Sequence, residues 1–241
     1  PHLLESFRRS GVMHVLALSG MHLGILAIAL GAAMFPIIGR RAYPVAAVVL
    51  LLYYLLVGPI PSLLRALLMF CFGALLRWYG RSPDVPSLLG AALPVALLIA
   101  PEAATSLGWR LSTLALAGIL WIGAPLAART PKIPGRGLIK MLLVSLGAFL
   151  AGMPLSLSVF GAAYPVGIVA SLILTPLVTL FIWASIAVAL AGLVLPQTIT
   201  ALSGGAGAVY RLIEASAEYL SRAPALEAIT RGQATAATSA I

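Results

Sequence analysis

Charge is what this 241-residue chain has least of. Asp, Glu, Lys and Arg together make up 9 % of it, against 61 % hydrophobic residues. A water-soluble domain carries roughly a quarter charged residues, so a globular surface in water is excluded. Mean hydropathy is +1.09, and the solvent this implies is lipid. In lipid the backbone must satisfy its own hydrogen bonds, which leaves helices or closed barrels. A barrel would show alternating segments of about ten residues; the apolar runs here are longer and do not alternate. The expected fold class is all-α, a polytopic transmembrane helical bundle. About seven to eight crossings fit the length, with one broken or kinked helix near 157–195.

Acidic groups are scarcer still. The six are Glu5, Asp84, Glu102, Glu214, Glu218 and Glu227, and none falls centrally in an apolar run. That argues against an intramembrane proton relay and against carboxylate-pair or metal-assisted catalysis. The single cysteine, Cys71, excludes an internal disulfide and reads as a small buried hydrophobe. Three histidines leave little for a metal site, and no cofactor is expected. Net charge is nonetheless +9. Nucleic acid is one reading of that excess; basic cytoplasmic loops of a membrane protein are the plainer one.

What is present is a series of apolar segments separated by turn residues. Residues 1–11 read as an interfacial lead-in, with Leu3, Leu4 and Phe7 among Glu5, Arg8 and Arg9. Crossings are expected at Val12–Met34 (ending near Pro36), Tyr43–Val57, Ser62–Tyr79, Val85–Ile99, Trp109–Leu126 and Leu138–Leu155. The apolar stretch 156–195 is interrupted at Gly161, Pro165, Gly167 and Pro176. It fits either two crossings or a broken helix followed by one. The transmembrane domain is thus 12–195. An amphipathic helix and linker follow at 196–231, with Arg211, Glu214, Glu218 and Arg222 opposite Leu212, Ile213 and Leu220, and then a tail at 232–241. Pro1 at the start, without an initiator Met, reads as a cut into a longer protein. Basic residues divide unevenly. Arg40, Arg41, Arg77, Arg81, Arg129, Lys132, Arg136 and Lys140 lie on one side; Arg8, Arg9, Arg65 and Arg110 lie on the other. The positive-inside rule places the larger set in the cytoplasm and the N-terminus outside.

The first crossing carries His14, Ser19 and His22 in an otherwise apolar run. At 100° per residue they share one arc, and Gly20, Gly24 and Gly31 form a smooth opposite stripe suited to helix packing. One reading bonds each histidine to a neighbouring helix backbone; the other turns the arc toward a polar ligand. The histidines are eight apart with no acid beside them, so neither a metal set nor a serine-hydrolase triad is expected. An enzyme is not expected. Arg65, one turn into the third crossing, either snorkels to the interface or faces a wet cavity as a phosphate ligand. Trp109 and Arg110 read as interfacial anchors. Gly167, Ser171, Thr175 and Thr179 recur every fourth residue and make either a packing seam or a pore wall.

The stretch His14-Val-Leu-Ala-Leu-Ser-Gly-Met-His-Leu-Gly24 resembles the hallmark of the ComEC competence-protein family, which reads approximately H-L-L-A-I-S-G-L-H-V. Pro61-Ser-Leu-Leu-Arg-Ala66 with Met69 is similar to the family's P-S-x-x-R-A-x-x-M. Gly108-Trp-Arg-Leu-Ser112 with Ala115 is similar to its G-F-Q-L-S-F-x-A. Pro154, Phe160-Gly161 and Ala170-Ser-Leu-Ile-Leu-Thr-Pro176 are similar to its last block. The resemblance runs over about residues 5–195. Arg110 stands where Gln is commoner and Ser171 where Asn is usual, so roles tied to those amides are not carried over.

The resemblance implies a bacterial inner-membrane channel that passes one DNA strand into the cytoplasm during natural transformation. It implies single-stranded DNA, membrane lipid and other competence proteins as partners. No nucleotide-binding loop exists here, so an ATP-driven motor would be a separate protein. A homo-oligomer or a partner would supply pore wall that one chain lacks. His14, Ser19, His22, Arg65, Arg110, Ser112, Ser171 and Thr175 are the candidates for the strand's path. The alternative is a secondary transporter or lipid-handling protein for a small anion, using Arg65 and the broken helix.

Overall fold

Turn residues set where the helices of this chain begin and end. The computed structural model describes residues 2–11, 20–194 and 199–227. In order come α1 (His2–Arg9), α2 (Gly20–Ile38), a 3-10 turn (Gly39–Arg41), α3 (Ala42–Val57), α4 (Pro61–Trp78) and α5 (Val85–Ile99). A second 3-10 turn (Pro101–Thr105) leads to α6 (Leu107–Gly118), a π-helical turn (Ile119–Gly123), α7 (Ala124–Ala128) and α8 (Arg136–Phe160). Then follow β1 (Ala162–Ala163), α9 (Gly167–Val194), α10 (Ile199–Leu220) and β2 (Leu226–Glu227). The class is all-α. Among the described residues the strands amount to one two-residue antiparallel ladder, Ala162 opposite Glu227 and Ala163 opposite Leu226.

Among the described residues five stretches are long and apolar enough to cross a membrane: His22–Val57, Pro61–Trp78, Leu107–Ala128, Arg136–Phe160 and Gly167–Ala189. The first is a hairpin of two crossings. Leu23 of α2 and Leu50 of α3 share one buried cluster, and the Phe35 and Tyr43 rings meet edge-on at 5.9 Å. A straight helix allows neither. Gly39, at φ +56°, adopts the left-handed backbone the reversal needs at little cost. α2 ends at Ile38, near Pro36 as expected, with Pro36 inside its last turn. Five stretches, one doubled, plus the shorter apolar helix α5 give seven candidate crossings among the described residues. Leu56, Ile37 and Leu98 are each more than 80 % exposed, a pattern costly in water and neutral against lipid.

The break expected near 157–195 lies at residues 161–166. Gly161, at φ +69°, caps α8, and α9 then runs 28 residues straight through Pro176. Within α10, Ile213 and Ala217 are buried while Leu212 is 54 % exposed. Leu212 therefore does not share the apolar face with Ile213. It sits about 100° around the helix from it. The tail 232–241 lies outside the described residues.

The chain divides into two compact units, each interleaved in sequence. One comprises 14–116 and 178–206; the other comprises 1–13, 117–177 and 207–241. The first is built on α2–α5. Leu23, Leu50, Leu63 and Leu67 make one core cluster, and Leu64, Ala96, Ala103 and Trp109 make another. Trp109, expected as an interfacial anchor, is 5 % exposed. Its side chain packs into that second cluster, while Ser106 Oγ accepts from its backbone N–H at 3.1 Å and caps the start of α6.

In the second unit α1 is not a free interfacial helix. Phe7 and Ser10 are fully buried. A Cβ on Gly11 would sit 2.8 Å from Tyr164 O, and one on Gly167 would sit 3.0 Å from Gly11 O. α8 crosses the π turn through glycines. A Cβ on Gly123 would lie 2.8 Å from Val144 Cα, and one on Gly147 would lie 2.7 Å from Gly123 Cα.

Candidate functional site

The first unit holds a buried arginine. Pro61 starts α4 at its first position, where a missing N–H costs nothing, and this places Arg65 one turn in. Arg65 is only 5 % exposed. Its guanidinium does not snorkel outward; it reaches across to α6. Nη2 donates to Ser112 Oγ at 2.6 Å and Nη1 donates to Thr113 Oγ1 at 3.2 Å. Nε is buried with no hydrogen-bond partner among the described residues. The ion pairs found among those residues, Arg9–Glu5 and Arg222–Glu218, do not include it. A cation this far from water is costly unless its charge is answered. Two neutral hydroxyls orient it without neutralising it. A guanidinium held this way keeps its charge and one N–H donor unanswered by any described residue.

α2 comes close to the same place. A Cβ on Gly20 would lie 2.9 Å from Ala66 Cβ and 4.0 Å from Arg65 Nη2. A side chain at Gly20 would therefore push α2 off α4 beside the guanidinium. Gly24 and Gly31 differ, since a Cβ on either would meet nothing within 4 Å among the described residues. Three sequence motifs thus converge here. Gly20 of the first meets Ala66 of the second, and Arg65 of the second holds Ser112 of the third.

The other candidates fall in several places. His22 is half-buried in the first turn of α2. His14 and Ser19 lie outside the described residues. Arg110 is exposed, and its Nε donates to Ala104 O at 3.0 Å. Ser171 belongs to the second unit and donates to Gly167 O of its own helix at 2.6 Å. Thr175 is half-buried one turn further on. Thr113, which shares the guanidinium with Ser112, carries no sequence signal beyond its place beside Ser112. Among the described residues no group of three or more His, Cys, Asp or Glu side chains is gathered as a metal would need.

Apolar helices long enough to span a bilayer, packed around a buried cation, define a polytopic membrane protein. Residues 1–241 match the Competence protein family along their whole length. The chain belongs to that family. ComE operon protein 3 of Bacillus subtilis (strain 168) is 30 % identical over 182 residues, covering 73 % of this chain and 22 % of that protein. The chain therefore spans about a fifth of the length of the curated relative it matches. No solved structure matches it.

Proposed function

We propose that this chain is the membrane channel core through which a competent bacterium passes single-stranded DNA across its inner membrane. Family membership supports a role in competence. The observation that carries the finer reading is the Arg65 guanidinium, buried on neutral partners with Nε unpaired. A phosphodiester bears one negative charge and presents oxygens suited to such a donor. Hydroxyl partners can be exchanged for phosphate at less cost than a carboxylate partner, because no ion pair has to be broken. The strand then gains a transient contact and can leave it again. On this reading the chain moves DNA without altering it, and the driving force comes from a separate motor protein. The end carrying Arg40, Arg41, Arg77 and Arg81 faces the cytoplasm.

The test is uptake of labelled DNA by cells carrying Arg65→Met. Replacing a buried charge by an apolar side chain of similar volume is often neutral or stabilising for the fold. We therefore expect normal protein abundance with uptake reduced roughly 10- to 100-fold, the worth of a hydrogen bond to a charged group. Wild-type uptake by an abundant Arg65→Met protein overturns the assignment. Normal uptake of DNA together with loss of a small anion's transport would favour a solute transporter instead.

A further inference from the structure

Two turns of the first unit meet at the end of the helices away from Arg65. The Gly39–Arg41 turn carries Arg40 over the turn that follows α4. Arg40 Nη1 lies 3.4 Å from where a Cβ on Gly80 would be. Gly80 itself, at φ +74°, closes that turn. Its N–H donates to Arg77 O at 3.0 Å, and the Arg81 N–H donates to Leu76 O at 2.9 Å. Arg77 and Arg81 thus stand on the turn that Arg40 covers, with Arg41 next to it. All four arginines are exposed. None pairs with a carboxylate among the described residues. The acid nearest in sequence, Asp84, is occupied, since its carboxylate accepts from the Ser87 N–H at 2.9 Å.

The surroundings of this basic group are apolar. Ile37 is 82 % exposed, Tyr79 72 %, Phe35 48 % and Trp78 40 %. Depth matters too. α4 has 18 residues from Pro61 to Trp78, about 27 Å at 1.5 Å per residue, close to the thickness of a hydrocarbon core. The arginines therefore sit where headgroups begin. A nucleic acid strand or an acidic protein would satisfy the guanidinium groups and leave Ile37 and Trp78 unanswered. A molecule with phosphate at one end and acyl chains at the other answers both.

We propose that Arg40, Arg41, Arg77 and Arg81 form a binding site for the headgroup of an anionic phospholipid, with Ile37 and Trp78 against its acyl chains. The site does not depend on what the protein transports. It ties two inter-helix turns together through one phosphate and sets the depth of the α2–α5 helices in the membrane.

The test uses the full chain purified in neutral detergent, with dioleoyl phosphatidylglycerol or dioleoyl phosphatidylcholine added and retained lipid read by native mass spectrometry. Wild type should retain the anionic lipid preferentially. Arg40→Gln/Arg81→Gln should lose about fivefold in apparent affinity per arginine removed with phosphatidylcholine retention unchanged. Arg40→Lys/Arg81→Lys should keep most of the preference. Arg211→Gln, at an exposed position on α10, should keep all of it. Equal phosphatidylglycerol retention by the Gln double variant overturns the proposal. So does an arginine-dependent binding of single-stranded oligonucleotide with no preference between the two lipids.

Discussion

Arg65 behaves as it does because of a helix that begins more than forty residues later in the chain. A long basic side chain one turn inside a membrane helix can usually reach water. Here α6 crosses in front of it, and Ser112 and Thr113 take its two terminal nitrogens. The polar residue was legible as an exception within an apolar run. Its fate was not, because snorkelling and burial differ only in what another helix does. Trp109 illustrates the same limit, being an anchor by composition and a core residue by packing. If the hydroxyls hold the guanidinium in place, Ser112→Ala/Thr113→Val should lower DNA uptake about tenfold or more while leaving the protein folded. Unchanged uptake would reduce the two hydroxyls to packing.

Asp84 gives a second test at this scale. The Ser87 N–H it accepts holds its carboxyl below the usual aspartate range. A depressed folded value means the cap's contribution is fully present above the ordinary aspartate pKa and is lost as pH falls through the folded one. The melting-temperature gap between wild type and Asp84→Ala should therefore be constant near neutral pH and shrink in acid below the ordinary aspartate range. A gap that ignores pH would mean the carboxylate is not what caps α5.

At the scale of elements, most boundaries could be read directly. Pro61, Asp84, Gly135 and Gly161 each sit at a helix end. Two features could not be read. Proline does not always stop a helix, as Pro176 shows inside α9. Nor does any local pattern announce the π turn Ile119–Gly123. Its place follows from the crossing with α8, where Gly118, Gly123 and Gly147 bring backbone against backbone. Glycine content alone does not reveal this, since a Cβ on Gly152 of the same helix would meet nothing within 4 Å among the described residues. Gly147→Leu should destabilise by roughly 1–3 kcal/mol or more through overpacking. Gly152→Ala should be neutral or stabilise by about 0.5–1 kcal/mol through helix propensity. Thermal unfolding in detergent distinguishes them; equal effects would mean the close crossing does not exist.

For the whole molecule, the all-α membrane class followed from charge scarcity, because no soluble packing could hide so much apolar surface. The interleaving of the two units was not legible, since hydropathy is read along the chain and contacts form across it. The proposed orientation is testable with single cysteines in a Cys71→Ser background. Pro59 and Ser82 both stand exposed at helix–helix turns, at opposite ends of α4. Pro59→Cys should react with a membrane-impermeant maleimide in intact cells, and Ser82→Cys only after permeabilisation. The reverse pattern would invert the topology.

The burial of Phe7 and Ser10, with Gly11 pressed on Tyr164 and Gly167, has a consequence for biosynthesis. Gly11, at the end of α1, must wait for partners encoded some 150 residues later. At elongation rates of about 5–20 residues per second that is a delay of roughly 8–30 s. For that interval α1, with Phe7 on it, lacks that contact. The contiguous part of the first unit, residues 14–116, can assemble while it waits. A ribosome stalled before residue 160 would hold α1 without its contact to Tyr164 and Gly167, open to proteases and chaperones, and only synthesis into α9 would close that window.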